Sequence, residues 1–124
     1  PYDGGDVRIT RFGKSRGKVR STDESLALFR KAAGCGKKPS KEVLPAADPE
    51  DGTRVEIERW TGGRGGAEVV LVEVVGGGHA WPGGKQYLPE GLVGKASRDM
   101  DATAMILDFF LAHPKPEPAK EARE

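Results

Sequence analysis

The segment from Glu68 to Gly84 constrains this chain more than any other. It opens with Val69, Val70, Leu71 and Val72, passes through Glu73, and closes on Val74 and Val75. A β-branched run of this kind suits a strand covered on both faces. The chain then reads Gly76-Gly77-Gly78-His79-Ala80-Trp81-Pro82-Gly83-Gly84, so a stiff apolar strand feeds directly into backbone with few side chains to hold it. Covering such a strand takes further layers, and 124 residues make one small domain at most, too short for a whole α/β barrel. The 18 Gly and 9 Pro cluster between well-patterned segments, which predicts a folded chain with long or specialised turns.

Charge removes several classes of function. Twenty Lys and Arg against nineteen Asp and Glu leave a net charge of +1, which creates no global field for nucleic acid or an anionic membrane surface. The longest apolar run, Val69 to Val75, is interrupted by Glu73 and falls far short of the ~20 residues of a membrane span. No basic stretch leads into an apolar signal segment. Neither nucleic acid nor membrane is therefore an expected partner.

No metal or cofactor is expected either. Cys35, His79 and His113 share no recognisable ligand spacing. Gly13-Lys14-Ser15 resembles the end of a phosphate-binding loop, but the first glycine of that pattern would fall on Arg8. The glycines at 76–78 fail the dinucleotide fingerprint because its third glycine would fall on Trp81. Asp48 to Gly52 lacks the ligand spacing of a calcium loop. Cys35 reads as a small residue under a helix cap, or as half of a bridge whose partner is elsewhere.

Along the chain, residues 1–20 alternate turn and basic residues, and Arg16, Lys18 and Arg20 read as a solvated edge or loop. Ser21-Thr22-Asp23-Glu24 is a capping box that predicts a helix over 22–33, with Leu26, Phe29, Arg30 and Ala33 on one face and Gly34 as its stop. Residues 36–52 read as a surface connection. Val55 and Ile57 alternate with Glu56 and Glu58 up to Trp60, predicting a strand that pairs with 68–75 as an antiparallel hairpin. Residues 85–98 read as irregular. Asp99 is expected to cap a second helix bearing Ala102, Met105, Ile106, Phe109 and Phe110, which His113-Pro114 ends. The polar tail at 114–124 has no core-forming residue and is expected to be disordered.

Glycines before His79 would let the backbone leave the strand and pass close to another segment without a Cβ clash. They would also hold an imidazole at the C-terminal end of a strand, the edge where open α/β sheets bind ligands. Histidine is the side chain whose ordinary charge change falls near neutral pH, which suits it to proton exchange there. Trp81, followed by Pro82, is placed to wall a substrate acyl group. The plain alternative is a turn histidine bonded to backbone, with Trp81 packed at a rim.

Gly76-Gly77-Gly78-His79-Ala80-Trp81-Pro82-Gly83 after a strand, the opening Pro1-Tyr2-Asp3-Gly4-Gly5 and the helix with Ile106-Leu107-Asp108-Phe109-Phe110 together carry a resemblance. Over about residues 1–113 the chain resembles the C-terminal part of the α/β-hydrolase esterases grouped as polyhydroxybutyrate depolymerase and feruloyl-esterase-like proteins. The resemblance implies an α/β fold class: two or three strands of an α/β-hydrolase sheet with two packed helices in residues 1–113. It implies a carboxylic ester hydrolase with a Ser-His-Asp triad, in which His79 is the catalytic base and Trp81 contacts substrate. It also implies an ester substrate, polyester or aromatic or acetyl ester, and a secreted or periplasmic location.

The nucleophile of that family sits in a Gly-x-Ser-x-Gly elbow. Gly13-Lys14-Ser15-Arg16-Gly17 has the letters, but Arg8 to Phe12 is too polar for the strand an elbow needs and no helix opens at once after it. Nucleophile, oxyanion donors and acid are therefore expected upstream of Pro1, making the remaining N-terminal part of the same enzyme the expected partner of these residues. The rival from another class is a non-catalytic binding module, with Trp60, Trp81 and the Phe109-Phe110 helix as an exposed contact surface.

Overall fold

A computed structural model describes residues 2–7 and 14–115. Pro1 of the opening motif, Arg8 to Gly13 and residues 116–124 of the expected tail lie outside the described residues. The described chain forms β1 (Gly5–Asp6), β2 (Lys18–Val19), α1 (Thr22–Ala33), β3 (Ser40–Val43), β4 (Arg54–Trp60), β5 (Val69–Val75), α2 (Glu90–Val93) and α3 (Ala102–Ala112). β1 and β2 pair antiparallel, with Gly5 opposite Val19, and β3-β4-β5 form a second sheet in that order. β3 and β4 also run antiparallel: Ser40 Oγ donates to Arg59 O, Lys41 pairs with Glu58, and Leu44 N donates to Val55 O.

The residues fall into two compact units, Pro1–Glu42 with Ile57–Glu73, and Val43–Glu56 with Val74–Glu124. In the first, α1 begins and ends where its local chemistry dictates. Ser21 Oγ accepts from Glu24 N at 3.1 Å, and the Glu24 carboxylate accepts from Ser21 N at 3.0 Å. Gly34 stops the helix with φ 77°, a left-handed conformation that costs glycine little, and its N–H reaches Arg30 O. Trp60 is buried, its indole N–H donating to Lys37 O at 3.2 Å while the Arg30 guanidinium lies 5.0 Å from its ring centroid. Arg30 thus runs along the apolar face as its position on α1 predicts.

In the second unit, Val55 at 0% and Ser97 at 1% exposure mark the most buried point. The Thr53 hydroxyl donates to Ser97 Oγ at 2.9 Å, a buried polar pair satisfied internally. Ala47 N donates to Asp99 Oδ1 at 2.7 Å. Trp81 Nε1–H donates to Thr103 Oγ1 in the first turn of α3 at 3.0 Å.

Several expectations need correction. Asp99 does not cap the second helix: its carboxylate is taken by Ala47 N and lies 3.4 Å from the Thr53 hydroxyl, and Asp101 accepts from Ala104 N in its place. The connection over 36–52 contains a strand, β3, fully exposed and rich in Lys and Glu. The 85–98 segment contains the short α2. Every residue of β5 is half-buried, where full cover on both faces was expected. Phe29 is exposed on α1, and Ile106, Leu107, Phe110 and Leu111 are exposed on α3. Burial of Trp60 removes it from any exposed aromatic surface.

Candidate functional site

His79 lies four residues beyond the end of β5, and its position follows from the glycines before it. A Cβ at Gly78 would collide with Val93 O and with the Gly94 backbone, so the two chain segments cross at a distance only glycine permits. At that crossing Gly78 N donates to Lys95 O at 2.8 Å and His79 N donates to Val93 O at 2.5 Å. On the other side of the residue, Tyr87 Oη donates to His79 O at 3.0 Å. Both backbone polar groups of His79 are thus engaged by residues 87–93, while its imidazole is exposed and makes no hydrogen bond among the described residues.

The chain leaves His79 through a second anchored turn. Gly83 N donates to Ser97 O at 2.8 Å and Ala102 N to Pro82 O at 3.1 Å, while the Trp81 indole is tethered to Thr103 with 54% of the residue exposed. The loop around His79 therefore hangs from two stretches, 93–97 and the start of α3. The arrangement leaves an imidazole with a fixed backbone and an uncommitted ring two residues before an exposed indole; an imidazole suits proton exchange and an indole apolar contact.

Ser15 is placed differently. It sits in the connection between β1 and β2, where its hydroxyl lies 3.1 Å from both Asp6 Oδ1 and Gly17 O and accepts from Gly17 N at 3.2 Å. That is the side-chain bonding of a hairpin turn, not of a strand-to-helix elbow. Cys35 Sγ, half-buried, lies 3.5 Å from Ala67 O, just past the helix stop.

A cavity of about 310 Å³ adjoins the loop, with Gly84, Gln86, Asp51, Glu90, Lys95 and Arg98 among its walls. The charged walls make it unlike the predominantly apolar pockets that take acyl groups. Beside it the Asp51 carboxylate is held below the usual range, chiefly by the Thr53 amide at 2.6 Å, next by the Thr53 hydroxyl, with Lys95 and Arg98 adding to the effect. Among the described residues no group of three or more His, Cys, Asp or Glu is placed to share a metal ion, and no helix is long and apolar enough to cross a membrane.

Sequence reasoning singled out His79 and Trp81 but not the residues that bind the backbone and indole around them. Gln86, Tyr87 and the 93–97 stretch lay in a segment read as irregular. One signal was present: Gln86 is the only glutamine in the chain.

Comparison with known proteins adds one relative. The chain is 35% identical over 91 residues to the protein named "Putative esterase NocK" from Nocardia uniformis subsp. tsuyamanensis, a match covering 73% of this chain and 26% of that protein. The chain has an esterase relative. It spans about a quarter of that relative's length. No family model matches it, and no solved structure matches it.

Proposed function

We propose that these residues carry the catalytic histidine of a serine carboxylic-ester hydrolase with the α/β-hydrolase fold, of the polyhydroxybutyrate depolymerase or feruloyl-esterase-like type. The observation that carries this reading is the state of His79: backbone N–H and C=O both bound, imidazole exposed and uncommitted, at the exit of β5. The esterase relative supports the reaction class. The half-buried β5 and the exposed apolar residues of α3 support a place in a larger sheet, with the nucleophile and acid on the rest of the enzyme.

In this mechanism the His79 imidazole takes the proton of the serine hydroxyl as its oxygen attacks the ester carbonyl. It then gives that proton to the leaving alkoxide as the C–O bond breaks, leaving an acyl-enzyme. In the second half it takes a proton from water, whose oxygen attacks the acyl carbon, and returns it to the serine oxygen as the acid departs. Trp81, half-exposed two residues on, would supply apolar contact to the acyl group. Substrates are esters of hydroxyalkanoic, aromatic or acetic acid, met outside the cytoplasm.

The test is His79→Ala in the full-length protein, assayed on a chromogenic acyl ester with thermal unfolding as the control. Turnover should fall by about 10⁴ to 10⁶, as for loss of a triad member, without loss of the folded state. Near-normal turnover would overturn the assignment.

A further inference from the structure

We propose that Gln86 and Tyr87 are positioning residues for His79, an inference that rests on His79 being the base. The loop they serve cannot hold itself: Gly77 and Gly78 precede the histidine and Gly83 and Gly84 follow it closely, so local side chains provide little support. At His79 itself its order comes from the 86–96 stretch. Gln86 binds that stretch with both ends of one carboxamide, Nε2 donating to Gly94 O at 2.9 Å and Oε1 accepting from Ala96 N at 2.9 Å. The same Nε2 donates to Leu88 O at 2.7 Å, which ties the glutamine to its own turn.

Those bonds fix the carboxamide's orientation, because Ala96 N–H must meet oxygen and the carbonyls of Gly94 and Leu88 must meet N–H. The segment held in this way is the one whose Val93 and Lys95 carbonyls accept from His79 N and Gly78 N. The neighbouring Tyr87 donates to His79 O directly. One dipeptide therefore secures the histidine twice, through its carbonyl and through the segment that accepts its amide. Only a side chain with donor and acceptor on one planar group can make both bonds at 94 and 96. Glutamate at 86 could still accept from Ala96 N but would set a carboxylate oxygen against two carbonyls.

A displacement of about 1 Å in a catalytic group costs on the order of 100-fold in rate, so loosening this support should appear in turnover and not in substrate binding. The experiment compares Gln86→Glu, Tyr87→Phe and His79→Ala in the full-length protein by kcat and KM on a chromogenic ester, by thermal unfolding, and by backbone hydrogen exchange of peptides covering residues 77–84. Gln86→Glu and Tyr87→Phe are each expected to lower kcat by about tenfold to 100-fold with KM and the unfolding midpoint little changed, and to speed exchange at 77–79. Wild-type kcat with unchanged exchange in both variants overturns the proposal. So does a kcat loss that only tracks loss of folded protein. Should His79→Ala retain activity, the base assignment falls by itself, and exchange at 77–79 still shows whether residues 86 and 87 hold the loop.

Discussion

Two turns in this protein set a reactive side chain among glycines, and they use it in opposite ways. At Ser15 the hydroxyl is bound to Asp6 and Gly17, within its own hairpin. At His79 the backbone is bound by Tyr87 and Val93, 8 and 14 positions away, and the imidazole is left unbound among the described residues. The first turn uses its side chain to hold its backbone. The second holds its backbone from outside and leaves the side chain unbound among the described residues. A match to Gly-x-Ser-x-Gly in letters says nothing about which of these a turn does, because the difference lies in partners distant in sequence.

The paired substitutions His79→Ala and Ser15→Ala should break this contrast most sharply if it is wrong. The first should cost about 10⁴ to 10⁶ in ester turnover. The second, an exposed substitution, should leave turnover within about twofold. Equal losses in both would return Ser15 to candidacy as nucleophile.

Gly78→Ala tests the crossing that brings the two segments together. Its Cβ would meet backbone atoms of Val93 and Gly94, which cannot rotate away as a side chain can. Destabilisation at the upper end of the roughly 1–3 kcal/mol for overpacking is expected in urea unfolding, together with faster exchange at His79. Thr53→Val is smaller. It keeps the shape of the side chain but removes the donor to the buried Ser97 hydroxyl, for an expected loss of about 1–2 kcal/mol. Ser97 also supplies the carbonyl that holds Gly83, so exchange in the 82–84 stretch should rise in the same variant. An unchanged unfolding midpoint would show that the Thr53–Ser97 pair is dispensable.

What could be read from the sequence was what is set within four residues. The Ser21–Glu24 box and the Gly34 stop place both ends of α1 because donor, acceptor and turn residue all lie in the same short stretch. β3 was missed because Ser40-Lys41-Glu42-Val43 carries no period-two pattern, and what makes it a strand is pairing with β4. The cap of α3 was misplaced by two residues for a related reason: Asp99 and Asp101 are equivalent in local chemistry, and only the engagement of Asp99 by Ala47, 52 residues earlier, decides between them. Around His79, the glycines announced the close backbone crossing at Gly78. Gln86 and Tyr87 gave no pattern, since their bonds to residues 79, 94 and 96 form only across the loop.

The smallest expected effect concerns acid. Asp51 belongs to the surroundings of the His79 loop, since its carbonyl accepts from Lys95 Nζ and its carboxylate from Thr53 N. Its carboxyl is lowered, first by the Thr53 amide, so folding favours the ionised form. A carboxyl lower in the folded state than in the unfolded chain stabilises the fold above the ordinary Asp value of about 3.9, and that contribution is lost as pH falls through the lower folded value. The Thr53 amide resonance should therefore titrate with a midpoint below about 3.9, and Asp51→Asn should abolish that titration while leaving the resonance at neutral pH close to its original position. A midpoint at or above the ordinary value would mean that the 51–53 turn, whose Asp51 carbonyl accepts from Lys95, is not held by this carboxylate.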